Sequence, residues 1–283
     1  MAGNQGENSF SAEQAAVLGR IPDGSRLLVM DADGTIYRDS IFLKMFEKME
    51  SAGLVDKADS EKIRKMNAKW KDRETNYEEY LASVLGPYFA ALGRIRYKEY
   101  FRIWNEVISE TSKRTYLFPL HLAEKLKKQG FRTMILSGSC HEAVTAFSKK
   151  HGFDYAIGTS EEFLPDGKFS GKRTLLARQD DKRRVLSELR KKRCVVYGMG
   201  DTNGDFSLVL ESDYGYALNP NAELYGKISE AVARDSSVAR RVSVVTERKD
   251  LVLEFRPLGS RNGSLYGDTI PVYIHPKQGT RIS

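Results

Sequence analysis

Arg26-Leu27-Leu28-Val29-Met30-Asp31-Ala32-Asp33-Gly34-Thr35 is the stretch that decides the fold. The apolar run after Arg26 reads as a short buried strand, and the polar residues with Gly34 read as the turn that closes it. Side chains two apart on an extended chain point the same way. Asp31 and Asp33 therefore both project from the carboxyl edge of the sheet this strand joins, the edge where doubly wound sheets bind ligands. Taken alone, the stretch also fits a turn with two solvated aspartates.

Downstream, residues 39–116 are helical in pattern. Phe42, Met45, Phe46 and Met49 fall at helical spacing, as do Tyr77, Tyr80, Leu81, Val84 and Leu85, and then Tyr97, Tyr100, Phe101, Trp104 and Ile108. Such stripes read as the core of a small helical domain, with Thr75 and Glu78 as a capping box. After Pro119 strands alternate with helices. Strands are expected at Thr133 to Leu136, Tyr155 to Gly158, Cys194 to Tyr197 and Tyr214 to Leu218, with a hairpin from Glu162 to Gly171 and a helix from Lys182 to Lys191. Strands separated by helices imply parallel pairing in a doubly wound sheet. The expected organisation is an N-terminal lead over residues 1–22, where Ser11 and Gln14 cap a short helix, and a core over 23–37 and 117–246. A helical domain over 38–116 interrupts that core. Residues 247–283 form an extension of unassigned role, with strands at Leu251 to Phe255 and Pro271 to Ile274.

The 283 residues are 41% hydrophobic, enough for a sizeable core, and no apolar run approaches bilayer length. The polar start, MAGNQGENSF, lacks the apolar core of a secretory signal, so a cytoplasmic protein is expected. Two cysteines make no disulfide framework, and His121, His141, His151 and His275 show no zinc-ligand spacing. Lys and Arg outnumber Asp and Glu by 45 to 38. The excess is spread over helices as solvated faces, so nucleic acid is not the expected partner.

Two further strand ends carry polar groups. The second strand runs into Ser137-Gly138-Ser139, whose backbone N–H groups at a helix start suit an anion; Ser137 or Ser139 as a plain helix cap is the simpler alternative. The strand ending at Tyr197 runs into Gly198-Met199-Gly200-Asp201-Thr202-Asn203-Gly204-Asp205, whose two aspartates face one site. Carboxylates crowded on one edge repel unless a cation intervenes. Mg2+ suits such a set, because it takes a few carboxylate oxygens and completes its shell with water and phosphate. A lysine is then wanted for phosphate charge: Lys182 at a helix start, with Lys172 as the alternative.

These four elements, in this order, resemble the four motifs of the haloacid dehalogenase-like hydrolases, over about Arg26 to Leu218. The helical insertion is similar to the first-position cap of that superfamily, and Asp39-Ser40, Gly158-Thr159 with Glu162, Asp166-Gly167 and Asn219-Pro220 resemble its phosphoserine phosphatase-like subfamily IB. The resemblance implies an α/β, Rossmann-like, doubly wound parallel sheet with the cap inserted after the first strand. It implies Mg2+-dependent hydrolysis of a small phosphomonoester through an aspartyl-phosphate. Asp31 would be the nucleophile and Asp33 the general acid and base. Ser137, Gly138, Lys182 and Thr35 form the phosphate-binding set, and Asp31, Asp33, Asp201 and Asp205 the metal set. Gly34 stands where phosphoserine phosphatases usually carry Ser, and Ser139 where they carry Gly, so phosphoserine does not follow as the substrate. Arg38 and Asp39, beside the cap linker, are the expected substrate-selecting residues. Phosphotransfer to an alcohol acceptor and non-catalytic binding of a phosphometabolite are the alternatives; the pair Asp31 and Asp33 argues against a binder, which needs neither.

Overall fold

The computed structural model describes residues 10–257 apart from 73, 112 and 250, together with 269–270, 273–274 and 281–282. Residues 1–9 of the expected lead and Pro271 of the expected last strand lie outside these. The chain opens with α1 (Ala12–Arg20), β1 (Arg26–Met30), α2 (Ile41–Ser51), α3 (Lys57–Lys71), α4 (Tyr77–Leu92), α5 (Tyr97–Thr111) and α6 (Leu117–Lys127). It continues through β2 (Arg132–Cys140), α7 (His141–Lys150), β3 (Tyr155–Phe163), β4 (Phe169–Thr174), α8 (Gln179–Lys191) and β5 (Val195–Gly200). Last come α9 (Phe206–Leu210), β6 (Tyr214–Leu218), α10 (Ala222–Arg234), α11 (Val238–Arg241), β7 (Val242–Arg248) and β8 (Leu251–Phe255).

One sheet runs in the order β4-β3-β2-β1-β5-β6-β7-β8, extended at its edge by residues 269–270. From β3 to β7 every neighbour is parallel; β4 and β8 close the two flanks antiparallel. This is the α/β, doubly wound sheet that the strand pattern implied, with four helices inserted after its first strand. β1 alternates strictly. Leu27 and Val29 face a core shared with Val17 and Leu18 of α1 and Val185 and Leu189 of α8. Leu28 and Met30 face the other core, with Leu122 and Leu126 of α6 and Phe147 of α7. Both faces of the strand are thus covered, which is why it reads as a continuous apolar run.

Local differences have local causes. β2 extends to Cys140, but its pairing with β3 breaks between Leu136 and Cys140. That break frees the 137–139 segment to turn over the sheet edge. Neither Ser137 nor Ser139 caps α7; the capping position is Cys140, without a side-chain bond. Asn76, not Thr75, caps α4, accepting from the Glu79 N–H at 2.9 Å, while the Thr75 hydroxyl bonds the Glu79 carboxylate. The Ser11–Gln14 capping box forms as expected, and the Gln14 amide crosses to the Gly158 carbonyl at 2.9 Å. β7 is a parallel strand that the sequence pattern did not suggest. β8 belongs to the main sheet rather than to an appendage.

The helices α2–α5 hang on two antiparallel linkers. The Arg38 N–H donates to the Arg114 carbonyl at 2.8 Å, and the Tyr116 N–H to the Ile36 carbonyl at 2.9 Å. A second attachment lies at the β3–β4 hairpin, where the Tyr97 N–H meets the Gly167 carbonyl at 2.7 Å and Tyr97, Tyr100 and Phe163 pack ring on ring. The cap is therefore held on two sides over the carboxyl edge of the sheet. Among the described residues no helix is long and apolar enough to cross a membrane.

Candidate active site

β1 sits between β2 and β5, so the residues following these three strands meet at one place. A cavity of about 240 Å³ opens there between sheet and cap, lined on the core side by Asp31, Asp33, Ser137, Gly138, Lys182, Asp201 and Asp205. Seven of the residues singled out from three strand ends and a helix start thus share one space. Tight turns make this possible. Gly34 has a φ of 77°, and a side chain there would strike the Asp201 carboxylate at 2.2 Å. A side chain at Gly200 would strike Asp205 at 2.1 Å.

Lys182 is the electrostatic centre. Its side chain is 4% exposed, and its Nζ donates to Asp31 Oδ1 at 2.7 Å and to Asp205 Oδ1. Burial pushes this lysine down, but Asp205 and Asp31 overcome burial and hold it above the ordinary lysine value. Asp205 is fixed in turn by the N–H groups of Asp201 and Thr202, at 3.2 and 3.1 Å. Lys172, the other candidate, is 81% exposed on β4 and lies 3.5 Å from Glu162.

Burial pushes Asp31 up to about 8; Lys182 opposes the shift, and Asp205 and Asp33 add to it. Asp201 is raised well above the ordinary value, by burial first and then by Asp205 and Asp31. One lysine does not neutralise this group. Asp31, Asp201 and Asp205 each offer an oxygen within 4.8 Å of the other two, a spacing and donor set that fit a divalent cation bound through hard oxygens.

Asp33 is turned toward the cap. Its carboxylate accepts from the Ser139 hydroxyl at 2.7 Å, the Ile41 N–H at 2.8 Å and the Ser40 hydroxyl at 3.2 Å. Burial raises its pKa, and these three donors hold the rise back. Ser139 and Ser40 were not among the expected site residues. Ser139 read as a helix cap, yet its position two after Ser137 on an extended segment was the available signal.

Two expected contacts are placed differently. Thr35 is fully buried and its hydroxyl donates to Asp201 Oδ1 at 2.9 Å, so it braces a carboxylate behind the cavity wall. Arg38 does not line the cavity. It donates to the Thr115 carbonyl at 2.9 Å and to Glu247, and stacks over Tyr116. Asp39 does line the cavity, near the cap linker.

The Cys140 thiol is pushed well above the ordinary cysteine value by burial, which makes it a poor nucleophile. It lies in a second buried cluster with Glu142 and Glu161, where β3 meets α5.

The family model for haloacid dehalogenase-like hydrolases matches residues 28–209, well over half of the chain. The chain belongs to that family and is a hydrolase. Its fold is similar to that of a protein of unknown function from Bordetella pertussis Tohama I, at 17% identity and a TM-score of 0.58 over 74% of this chain and 96% of that one. It is also similar to a phosphoserine phosphatase solved as a phospho-aspartyl intermediate analogue, at 18% identity and a TM-score of 0.54 over 72% and 91%. A substrate-bound phosphoserine phosphatase gives 17% and 0.52 over 72% and 90%. No curated protein matches.

Proposed function

We propose that the chain is a Mg2+-dependent phosphatase that hydrolyses a small phosphomonoester through a phosphorylated Asp31. The observation that supports this most is the meeting of Asp31, Asp33, Lys182, Asp201 and Asp205 in one enclosed cavity. Asp31 Oδ attacks phosphorus as the ester P–O bond breaks, and Asp33 gives its proton to the departing oxygen. Burial favours the protonated form of Asp33 that this step requires. Water then attacks phosphorus, Asp33 takes the proton, and the Asp31–phosphorus bond breaks. Lys182, the Ser137 hydroxyl and the backbone at Gly138 hold phosphate oxygens as charge develops.

The cation would be held by Asp31, the Asp33 backbone carbonyl and Asp201, with Asp205 assisting. When bound it offsets the repulsion between the Asp31 carboxylate and the phosphate. The cap excludes water and restricts access to small esters. A cytoplasmic location agrees with Cys140 and Cys194 both being buried and unpaired.

The reading is tested by incubation with an aryl phosphate and Mg2+, acid quench and mass analysis. A phosphoryl adduct on the peptide containing Asp31, lost in Asp31→Asn and in excess chelator, is the expected result. Phosphate release that persists in chelator would overturn the metal assignment.

A further inference from the structure

The cavity has two unlike halves. The core half carries the carboxylates, Lys182 and Ser137. The cap half is built from Phe42 and Leu43 of α2, Trp70 of α3, and Tyr80, Leu81 and Leu85 of α4. Asp39 is the charged residue among the described ones on that side. It is already engaged: its Oδ1 accepts from the Ser40 N–H at 3.0 Å, and its Oδ2 lies 3.7 Å from Arg114. Lys182 is the basic side chain among the described lining residues, and both of its carboxylate partners belong to the core half.

A leaving group that carried a carboxylate or a second phosphate would be buried here without a counter-ion, which is strongly unfavourable. An ammonium would fare little better. Aromatic rings attract cations through their faces; Trp70 and Tyr80 stack on one another at 5.6 Å and 21°, so each has at most one face left for a cation, and Asp39, the carboxylate on this side, already bonds the Ser40 N–H.

Besides the hydroxyl-bearing Ser40 and Tyr80, one uncharged polar side chain, Asn67, stands among these lining residues. Asn67 Oδ1 is buried and accepts no hydrogen bond among the described residues, although Asn67 lines the cavity. A buried acceptor is a standing cost unless something donates to it. The Oδ1 atom is itself covered, so the Asn67 side chain must turn toward the cavity to meet a donor; a hydroxyl then satisfies it whichever way the amide is turned, because it both donates and accepts.

We infer that the substrate is the monophosphate of a small, uncharged, largely apolar alcohol that carries a second hydroxyl, the apolar body lying against α2 and α4 and the hydroxyl reaching Asn67. The inference rests on the phosphatase reading and narrows it. It sets the chain apart from an enzyme for phosphorylated amino acids or acids, whose alcohols carry charge.

The test compares esters that all leave as primary alkoxides, so that differences report recognition rather than leaving-group chemistry. The probes are 4-(hydroxymethyl)benzyl phosphate, benzyl phosphate, phosphoserine, phosphoethanolamine, phosphocholine and 3-phosphoglycerate, with p-nitrophenyl phosphate as an activated control. The expected kcat/KM for the hydroxymethyl ester exceeds those for phosphoserine and 3-phosphoglycerate by about 100-fold. Asn67→Leu is expected to shrink the ratio between the hydroxymethyl and plain benzyl esters by about tenfold. Leu85→Arg is expected to raise 3-phosphoglycerate relative to the benzyl esters. Equal or better turnover of the charged esters, with p-nitrophenyl phosphate still hydrolysed, overturns this inference and leaves the phosphatase reading standing. An unchanged benzyl ratio in folded Asn67→Leu overturns the role of the second hydroxyl. Failure to release phosphate from any probe, the activated one included, overturns both readings together.

Discussion

Arg38 Nη2 donates to Glu247 Oε1 at 2.6 Å, so the first linker of the cap is tied to the seventh strand of the sheet. The Glu247 side chain is fully buried, and its carboxylate also accepts from the N–H groups of Leu117 and Phe118 at the start of α6, at 2.9 and 2.8 Å. One carboxylate thus joins the entry to the cap, the exit from it and the sheet. Removing it leaves buried donors unpaired, whereas removing Arg38, 32% exposed, leaves Glu247 held at a helix N-terminus where a negative charge is stabilised. Glu247→Ala is therefore expected to destabilise by about 3 kcal/mol and Arg38→Ala by about 1 kcal/mol, read by denaturant unfolding. Arg38→Ala is also expected to leave the ranking of substrates unchanged, since Arg38 does not face the cavity. A reordered ranking would return Arg38 to the role of a substrate contact.

Lys182 and Lys172 were both open from sequence, and their surroundings now separate them. Lys182 bridges Asp31 and Asp205 inside the cavity, while Lys172 stands in solvent beside Glu162. Lys182→Met is expected to lower kcat by about 10²–10³-fold with an aryl phosphate, and Lys172→Met to change it less than twofold. Circular dichroism in Mg2+ would establish that both variants are folded. A severe loss at Lys172 with a mild one at Lys182 would reverse the assignment.

Most of the core half of the site was legible because its residues sit at the ends of apolar strands, where period-two alternation and glycine fix both place and direction. Asp31, Ser137 and Asp201 needed no tertiary knowledge beyond parallel pairing. The cap half was less legible. Tyr80, Leu81 and Leu85 read as cap core; Tyr80 does pack there, but all three also wall the cavity. In α3 the spacing Ile63, Met66 and Trp70 was a helical signal, diluted by its polar neighbours, and it would have brought Asn67 into view. Glu247 was invisible for a different reason. A glutamate near the end of a strand ordinarily reads as solvated, and only its partners at residues 38, 117 and 118, remote in sequence, account for its burial.

A second buried carboxyl gives a pH signature. Glu161 accepts from the Tyr100 hydroxyl, which lies 3.3 Å from that of Tyr88, and Cys140 and Glu142 face it from β2 and α7. Burial pushes its pKa up to about 8, from an ordinary 4.5; the Tyr100 bond opposes this and Glu142 adds to it. The folded protein therefore holds this proton over a window in which the unfolded chain has released it. The contribution of the protonated form to stability is complete below about 4.5 and is lost as pH rises through about 8. Glu161→Gln mimics the protonated form and keeps an acceptor for Tyr100. The difference in Tm between Glu161→Gln and the parent is expected to favour the variant increasingly from pH 5 to pH 8, with a residual slope from Glu142, itself raised by burial. A difference that stays flat across this range would mean that Glu161 is ionised in the folded state.

The two aspartates of the first motif differ in the company each keeps. Asp31 is bound to Lys182, inside the carboxylate cluster, whereas Asp33 faces the cap through Ser139, Ser40 and the Ile41 N–H. If Asp31 is the nucleophile, its amide has no substitute, and Asp31→Asn should abolish turnover of every ester. Asp33→Asn keeps an oxygen for the Ile41 N–H and puts an N–H donor opposite the Ser40 and Ser139 hydroxyls, which can turn to accept from it, so the loop should hold its shape while the transferable proton is lost. General acid–base help is worth about 10²–10⁴-fold, and it matters least when the leaving oxygen departs without a proton. Asp33→Asn is therefore expected to slow a benzyl-type ester by about 10³-fold and p-nitrophenyl phosphate by at least tenfold less than that. Phosphorylated Asp31 should accumulate with the aryl ester, because attack on it by water still needs a base. Ser139→Ala removes one donor to Asp33 without touching its proton, and should lower kcat by less than Asp33→Asn for both esters. Rapid-quench measurement of the burst and of the steady rate reads all three expectations. An Asp33→Asn variant that slows both esters equally, with no burst from the aryl one, would show that Asp33 acts on the cap through Ser40 and Ile41 rather than on the leaving oxygen.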